Sequence, residues 1–147
     1  MIRGEKQTLP RVQLVSDVAF FERDVVAKVL LVRYRRPGYD TGWYLPDVLL
    51  DDQEHPDDAA KRVLRDQLGV GSGKVSLNHI ESFRAEGIWH LAFHYTANHE
   101  NVLMIRPSAD IAELRWFPAN ALPKSDEVGF SGWALRTLRR VFNELDL

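Results

Sequence analysis

The chain has 147 residues, 45% of them hydrophobic and 27% charged, a balance that suits one folded domain and argues against global disorder. Its formal net charge of −2 argues against nucleic-acid or anionic-membrane binding driven by bulk charge. With no cysteine, disulfide scaffolds, Cys-based zinc sites and thiol catalysis are excluded. The opening "MIRGEKQTLP" holds no apolar run of signal-peptide length. No stretch approaches the ~18 apolar residues of a membrane span, so a soluble cytoplasmic protein is expected.

In chain order, residues 1–10 are polar and expected to be loose, and residues 11–147 are expected to form a single domain. "RVQLVSDVAFF" (Arg11 to Phe21) reads as a strand, "ERD" as a tight turn, and "VVAKVLLVRY" (Val25 to Tyr34) as a central strand buried on both faces. Together they predict a hairpin. "RRPGYDTG" is a loop by its Pro-Gly and Gly content, and "WYLPDVLL" returns to extended structure interrupted by Pro46. Pro56 to Leu68 predicts a helix. Pro56 suits the first helical position, Asp57 and Asp58 suit the positive end of the dipole, and Gly69 suits the stop. "KVSLNHIESFR", "GIWHLAFHYTAN" and "AELRWFP" predict three more strands. "SGWALRTLRRVFNEL" predicts a second helix capped by Ser131, with Ala134, Leu138, Val141, Phe142 and Leu145 at helical spacing. Strands, helix, strands, helix imply an α/β fold with a mixed sheet covered by helices on its two faces.

The stretch "DVLLDDQEHPDDAAKRVLRDQLGV" (Asp47 to Val70) carries the functional question. On a helical wheel Ala60, Val63, Leu64 and Leu68 share one arc, and Gln67 falls inside it. Asp66 lies to one side, at i, i+4 spacing from Arg62, where an ion pair is expected. A plain amphipathic helix explains Val63 as core and Asp66 as a solvated partner. It leaves Gln67 without an account, because a polar amide on a buried arc needs a partner.

The same residues resemble the motif of Nudix hydrolases, G-x5-E-x7-R-E-U-x-E-E-x-G-U, with U a bulky aliphatic. Glu54 stands at the first glutamate, Arg62 at the arginine, Leu64 at the aliphatic position, and Gly69 and Val70 close the motif. Upstream "WYLP" and downstream "DIAELRWFPANALP" resemble the flanking family segments, so the resemblance covers roughly Val12 to Pro123. It implies a Nudix-type α/β/α sandwich, with a mainly four-stranded mixed sheet and an added hairpin. It also implies cleavage of a nucleoside diphosphate linked to another group, through magnesium or manganese gripped by three carboxylates on one helix face.

The departures fall on those ligands. Pro-Gly-Gly becomes Pro46-Asp47-Val48, the glutamate after the arginine is Val63, and the paired glutamates are Asp66 and Gln67. By the resemblance the catalytic positions are Arg62, Asp66 and Gln67, and the metal positions Glu54 and Asp66. Asp47, Asp51, Asp52 and Glu54 are the acids that could replace lost ligands.

Other signals are less specific. Arg33, Arg35 and Arg36 flank the loop before Trp43; guanidinium forks match phosphates, and Trp43 and Tyr44 could stack on a base. An equally simple reading makes them a basic strand end and sheet anchors. Asp110 stands where many relatives carry a glutamate, which adds it to Arg33, Arg35 and Trp43 as a substrate-binding candidate. Trp116 and Phe117 read as core, and His99-Glu100 as a turn. His90 and His94 lie four apart on a strand and share a side; two partly buried or surface histidines are the expectation over a metal pair. Three functional readings stay open. The first is a Nudix protein that binds a small nucleotide or phosphorylated ligand with little or no hydrolysis. The second is a hydrolase using magnesium or manganese held by relocated acids. The third is a protein-contact module, with a homodimer the expected form. No cofactor is expected if the chain is inactive.

Overall fold

A computed structural model describes residues 11–23, 25–71, 74–99 and 105–145, without the side chains of residues 130 and 131. The chain forms β1 (Val12–Glu22), β2 (Lys28–Tyr34), β3 (Asp47–Leu49), α1 (Pro56–Arg62), a π-helical turn (Val63–Gln67), β4 (Ser76–Ala85), β5 (Ile88–Asn98), β6 (Ile111–Pro118), a 3₁₀ turn (Ser125–Glu127) and α2 (Gly129–Glu144). One mixed sheet runs in the order β4-β5-β1-β2-β6, with β3 also paired to β1. The β1–β5 pair is parallel, and the other strand pairs are antiparallel. Helices cover both faces, as the order of elements predicts. Among the described residues no helix is long and apolar enough to cross a membrane.

The alternation of β1 sorts its side chains between two cores. Val18 and Phe20 join Ala60, Val63, Leu64 and Leu68 on the α1 face. Ala19 and Phe21 join Leu135, Leu138, Val141 and Phe142 on the α2 face. β2 divides likewise, Leu30 and Val32 against Val29 and Leu31, which is why its sequence is a continuous apolar run. Removing Leu64 or Leu138, each 0% exposed, would cost about 2–5 kcal/mol as Leu→Ala.

The structure departs from the sequence reading in four places. β2 starts at Lys28, because Val25, 99% exposed, and Val26 belong to the reversal out of β1. The sheet is six-stranded rather than mainly four-stranded. β1 and β2 meet at their turn ends, Phe21↔Val29 and Glu22↔Lys28, and the segment from Tyr44 to Leu49 fills the fork between them. It bonds β2 through Val32↔Tyr44 and β1 through Val15↔Leu49 to Asp17↔Asp47. The first helix turns from α to π at Val63. The second starts at Gly129, after Val128, with no side-chain cap. A Cβ at Gly129 would stand 2.1 Å from the Tyr44 ring, so the helix enters where only glycine fits. The side chain of Ser131, residues 1–10, and Asp24 and Glu100 of the two predicted turns lie outside the described residues.

Candidate functional site

The helix of the motif is pinned at both ends. Tyr95 of β5 hydrogen-bonds Asp57, and Ser16 of β1 donates to Pro56 O at 3.0 Å. At the far end Gly69 adopts φ +71, and a Cβ there would meet Arg106 Cβ at 2.9 Å. Ala60, Val63, Leu64 and Leu68 are all buried, as the wheel predicts.

Arg62 does not pair with Asp66. Its guanidinium grips Glu54 with two bonds, Nε to Oε2 at 3.0 Å and Nη2 to Oε1 at 2.9 Å, and Nη2 also donates to Leu49 O at 2.9 Å. Three convergent acceptors on the preceding loop outcompete one carboxylate on an exposed face. The bonds from Arg62 hold the Glu54 carboxyl below its ordinary pKa. Asp66, 55% exposed, pairs instead with its neighbour Arg65 at 2.8 Å.

Val63 is 1% exposed inside the α1-face core. Gln67 is buried and fully engaged. Its Oε1 accepts from Tyr34 OH at 2.6 Å, and its Nε2 donates to Asp47 O at 2.7 Å. The Tyr34 hydroxyl in turn accepts from Asp47 N at 2.8 Å. These partners, invisible in the helix itself, supply the account that the wheel could not give of a buried amide.

Asp47 links this network to a cleft. Its carboxylate accepts from Tyr39 OH at 2.6 Å and from Arg36 Nη1 at 3.2 Å, and the Arg36 guanidinium lies 3.9 Å over the Tyr34 ring. Burial pushes the Asp47 carboxyl up to about 7, against the lowering effect of Tyr39 and Arg36; Asp17, its ladder partner, adds to the rise. Asp17 and Asp47 both line a cleft of ≈290 Å³ between β1, β3, the β4–β5 hairpin and α2, walled by Tyr39, Tyr44, Phe83 and Trp133. Polar groups at the base of an aromatic-walled cleft are the usual form of a small-molecule site.

The residues singled out for substrate lie elsewhere; Arg33, Arg35, Trp43 and Asp110 are not among the cleft's lining residues. Trp43, 2% exposed, packs edge-on against Phe117. Arg33 covers Trp43 at 4.2 Å and pairs with Glu113 at 2.8 Å. Arg35 donates to Ala109 O at 3.0 Å and Ile111 O at 2.9 Å, and Asp110, 63% exposed, stands 3.8 Å from Arg36. Among the other acids, Asp51 is 3.6 Å from Arg62, and Asp52 is exposed.

Sequence reasoning missed a cluster beside the cleft, on the sheet face opposite the motif helix. His90 and His94 are not a pair: His90 stacks on Phe83 at 5.0 Å, and the ladder sets His94 against His79 of β4. Potential ligand atoms of His79, Glu81 and His94 lie within 4.8 Å of one another. His94 Nδ1 faces Asp17 Oδ1 and Oδ2 at 2.8 and 2.9 Å. The available signal was the alternation of His79 and Glu81 on one strand opposite histidines on the next, but the β4 bulge between Leu77 and His79 hides the register.

The NUDIX domain family profile matches residues 14–136. No curated protein matches the chain. A Caenorhabditis elegans Ap4A hydrolase in a binary complex is similar in structure, with TM-score 0.70 and 14% identity over 91% of this chain and 98% of that one. A MutT/nudix family protein from Enterococcus faecalis gives 0.76 and 19% over 96% of this chain and 64% of that one. The NUDIX domain of Shewanella oneidensis NrtR, complexed with ADP ribose, gives 0.72 and 19% over 93% and 90%. At these identities the likeness speaks for the fold, and the profile match speaks for the family: this chain belongs to the NUDIX domain family.

Proposed function

We propose that this chain binds a nucleoside diphosphate derivative in the cleft, with weak or absent metal-dependent pyrophosphohydrolysis. The observation that carries the reading is the state of the motif helix. Magnesium and manganese want several oxygen ligands in a tight shell. Val63 offers none and is core, the Gln67 amide is spent on Tyr34 and Asp47, and Glu54 is held by Arg62. Asp66 alone presents a carboxylate to solvent, already beside Arg65. The residues present do not fit the family's hard-cation site, and no hydrolytic step is assigned through one. Relocation to the acidic loop has little support, since Asp47 and Glu54 are both committed to arginines.

Ligand binding is supported by the cleft itself. Tyr39, Tyr44, Phe83 and Trp133 offer aromatic surface to a base, and Asp47 of the lining pairs with Arg36 behind it. The printed ligands of similar structures, Ap4A and ADP ribose, define the panel to try first. Calorimetry of the purified chain against ADP-ribose, diadenosine tetraphosphate and nucleoside diphosphate sugars should give saturable binding that a cleft substitution such as Tyr39→Ala weakens. Parallel assays with magnesium or manganese should give little turnover. Robust turnover that Asp66→Ala abolishes would overturn the reading.

A further inference from the structure

We propose that His79, Glu81 and His94 form a binding site for a divalent transition-metal ion of the zinc class, on the sheet face opposite the motif helix. The site stands between β4, β5 and α2. Side chains of His79, His94 and Glu81 are 3%, 1% and 19% exposed, and the Trp133 ring lies 4.7 Å from His94.

The neighbours orient both rings. Asp17 places both oxygens on His94 Nδ1, so that nitrogen carries the proton and Nε2 keeps its lone pair. His79 Nδ1 faces Asn78 Oδ1 at 2.5 Å. His79 Nε2 points inward, 2.7 Å from Glu81 Oε1. His94 Nε2 is 3.5 Å from the same oxygen and is buried with no hydrogen bond.

Two imidazole nitrogens and a carboxylate oxygen thus converge, and one of the nitrogens is buried without a hydrogen bond. A proton on His79 Nε2 would satisfy one contact and leave His94 Nε2 an orphan. A cation satisfies all three. Two imidazoles and one carboxylate form a donor set that suits zinc and its first-row neighbours, not magnesium. Tetrahedral ligands at zinc bond lengths stand about 3.4 Å apart, so the 3.5 Å separation already fits and the 2.7 Å one needs a small shift of Glu81. Asp17 behind His94 and Asn78 behind His79 are the outer partners that orient histidine ligands. Arg136, 66% exposed, stands 3.7 Å from Glu81 Oε2, leaving Oε1 for the ion. The site takes none of its three metal ligands from the cleft lining, although Asp17 and Trp133 border both, and its argument does not rest on the proposed function.

The test is titration of chelator-stripped protein with zinc by calorimetry, with cobalt(II) absorption as the readout of coordination. We expect one equivalent of zinc, a rise in Tm on loading, and intense visible cobalt bands of a four-coordinate site. Glu81→Gln, nearly isosteric, and His79→Ala should each lower zinc affinity at least about tenfold, and Asp17→Asn about tenfold to a hundredfold. Asp66→Ala should leave zinc affinity unchanged. Absence of stoichiometric binding, or binding that survives Glu81→Gln or is lost with Asp66→Ala, overturns the proposal. If His79→Ala fails to fold, Glu81→Gln decides alone.

Discussion

The two faces of one sheet treat their polar residues in opposite ways. On the α1 face every ligand position of the family motif is either apolar or committed: Val63 to the core, Gln67 to Tyr34 and Asp47, Glu54 to Arg62, with Asp66 left in solvent beside Arg65. On the α2 face, buried His94 and His79 both point Nε2 at Glu81, and that of His94 has no hydrogen bond at all. β1 passes between the two, contributing Ser16 to one face and Asp17 to the other. A motif in sequence marks where a family placed its chemistry; an unsatisfied buried polar group marks where this molecule has a bond left to make.

The sharpest way to break this contrast is Val63→Glu, which restores the family's carboxylate. At a site 1% exposed it should destabilise the fold by more than ~3 kcal/mol in urea denaturation. If magnesium returned the variant to parental stability, the helix would still accept an ion and the two faces would be alike. Asp17→Asn strikes the other face. Replacing the carboxylate on His94 Nδ1 should cost ~1.5–3 kcal/mol. Gln67→Leu removes the close acceptor of Tyr34 OH and the shortest of the bonds to Asp47 O, and should cost ~1–3 kcal/mol. Asp66→Ala should change stability by less than ~0.5 kcal/mol, since an exposed neighbour pair contributes little.

Protonation offers a further probe of the cleft wall. Burial raises the Asp47 carboxyl from 3.8 to about 7, so the folded state holds a proton that the unfolded state releases. Between those values the folded chain binds more protons, and stability must fall as pH rises through the window. Asp47→Asn should flatten that slope in thermal melts taken from pH 4 to pH 7. A slope that persists in the variant would place its origin in another group.

The fold was largely legible because its signals are local. Alternation in β1, the apolar run of β2, Pro56 before α1 and Gly69 after it each follow from nearest-neighbour chemistry. The candidate site was legible only in part. The burial of Gln67 could be read from the helix, but its partners come from Tyr34 and Asp47, 33 and 20 positions away. Trp43 offered a stacking surface in sequence and is spent on Phe117 in the fold. His79 and His94 meet only once β4 and β5 are in register past a bulge, information no single segment carries.

The parallel pairing of β1 with β5 has a kinetic consequence. Each residue from Val12 to Phe21 waits for a partner 77 positions later in the chain, while β2 and β3 pair its other edge only at Phe21–Glu22 and Val15–Asp17. The β5-facing edge of the central strand therefore stays unpaired until the β4–β5 hairpin has been made, and the loop entropy of that closure precedes its reward. Refolding should run on the millisecond-to-second scale rather than in microseconds. During that interval the exposed edge of β1, with Val12, Leu14 and Val18, is the segment most open to pairing with another chain.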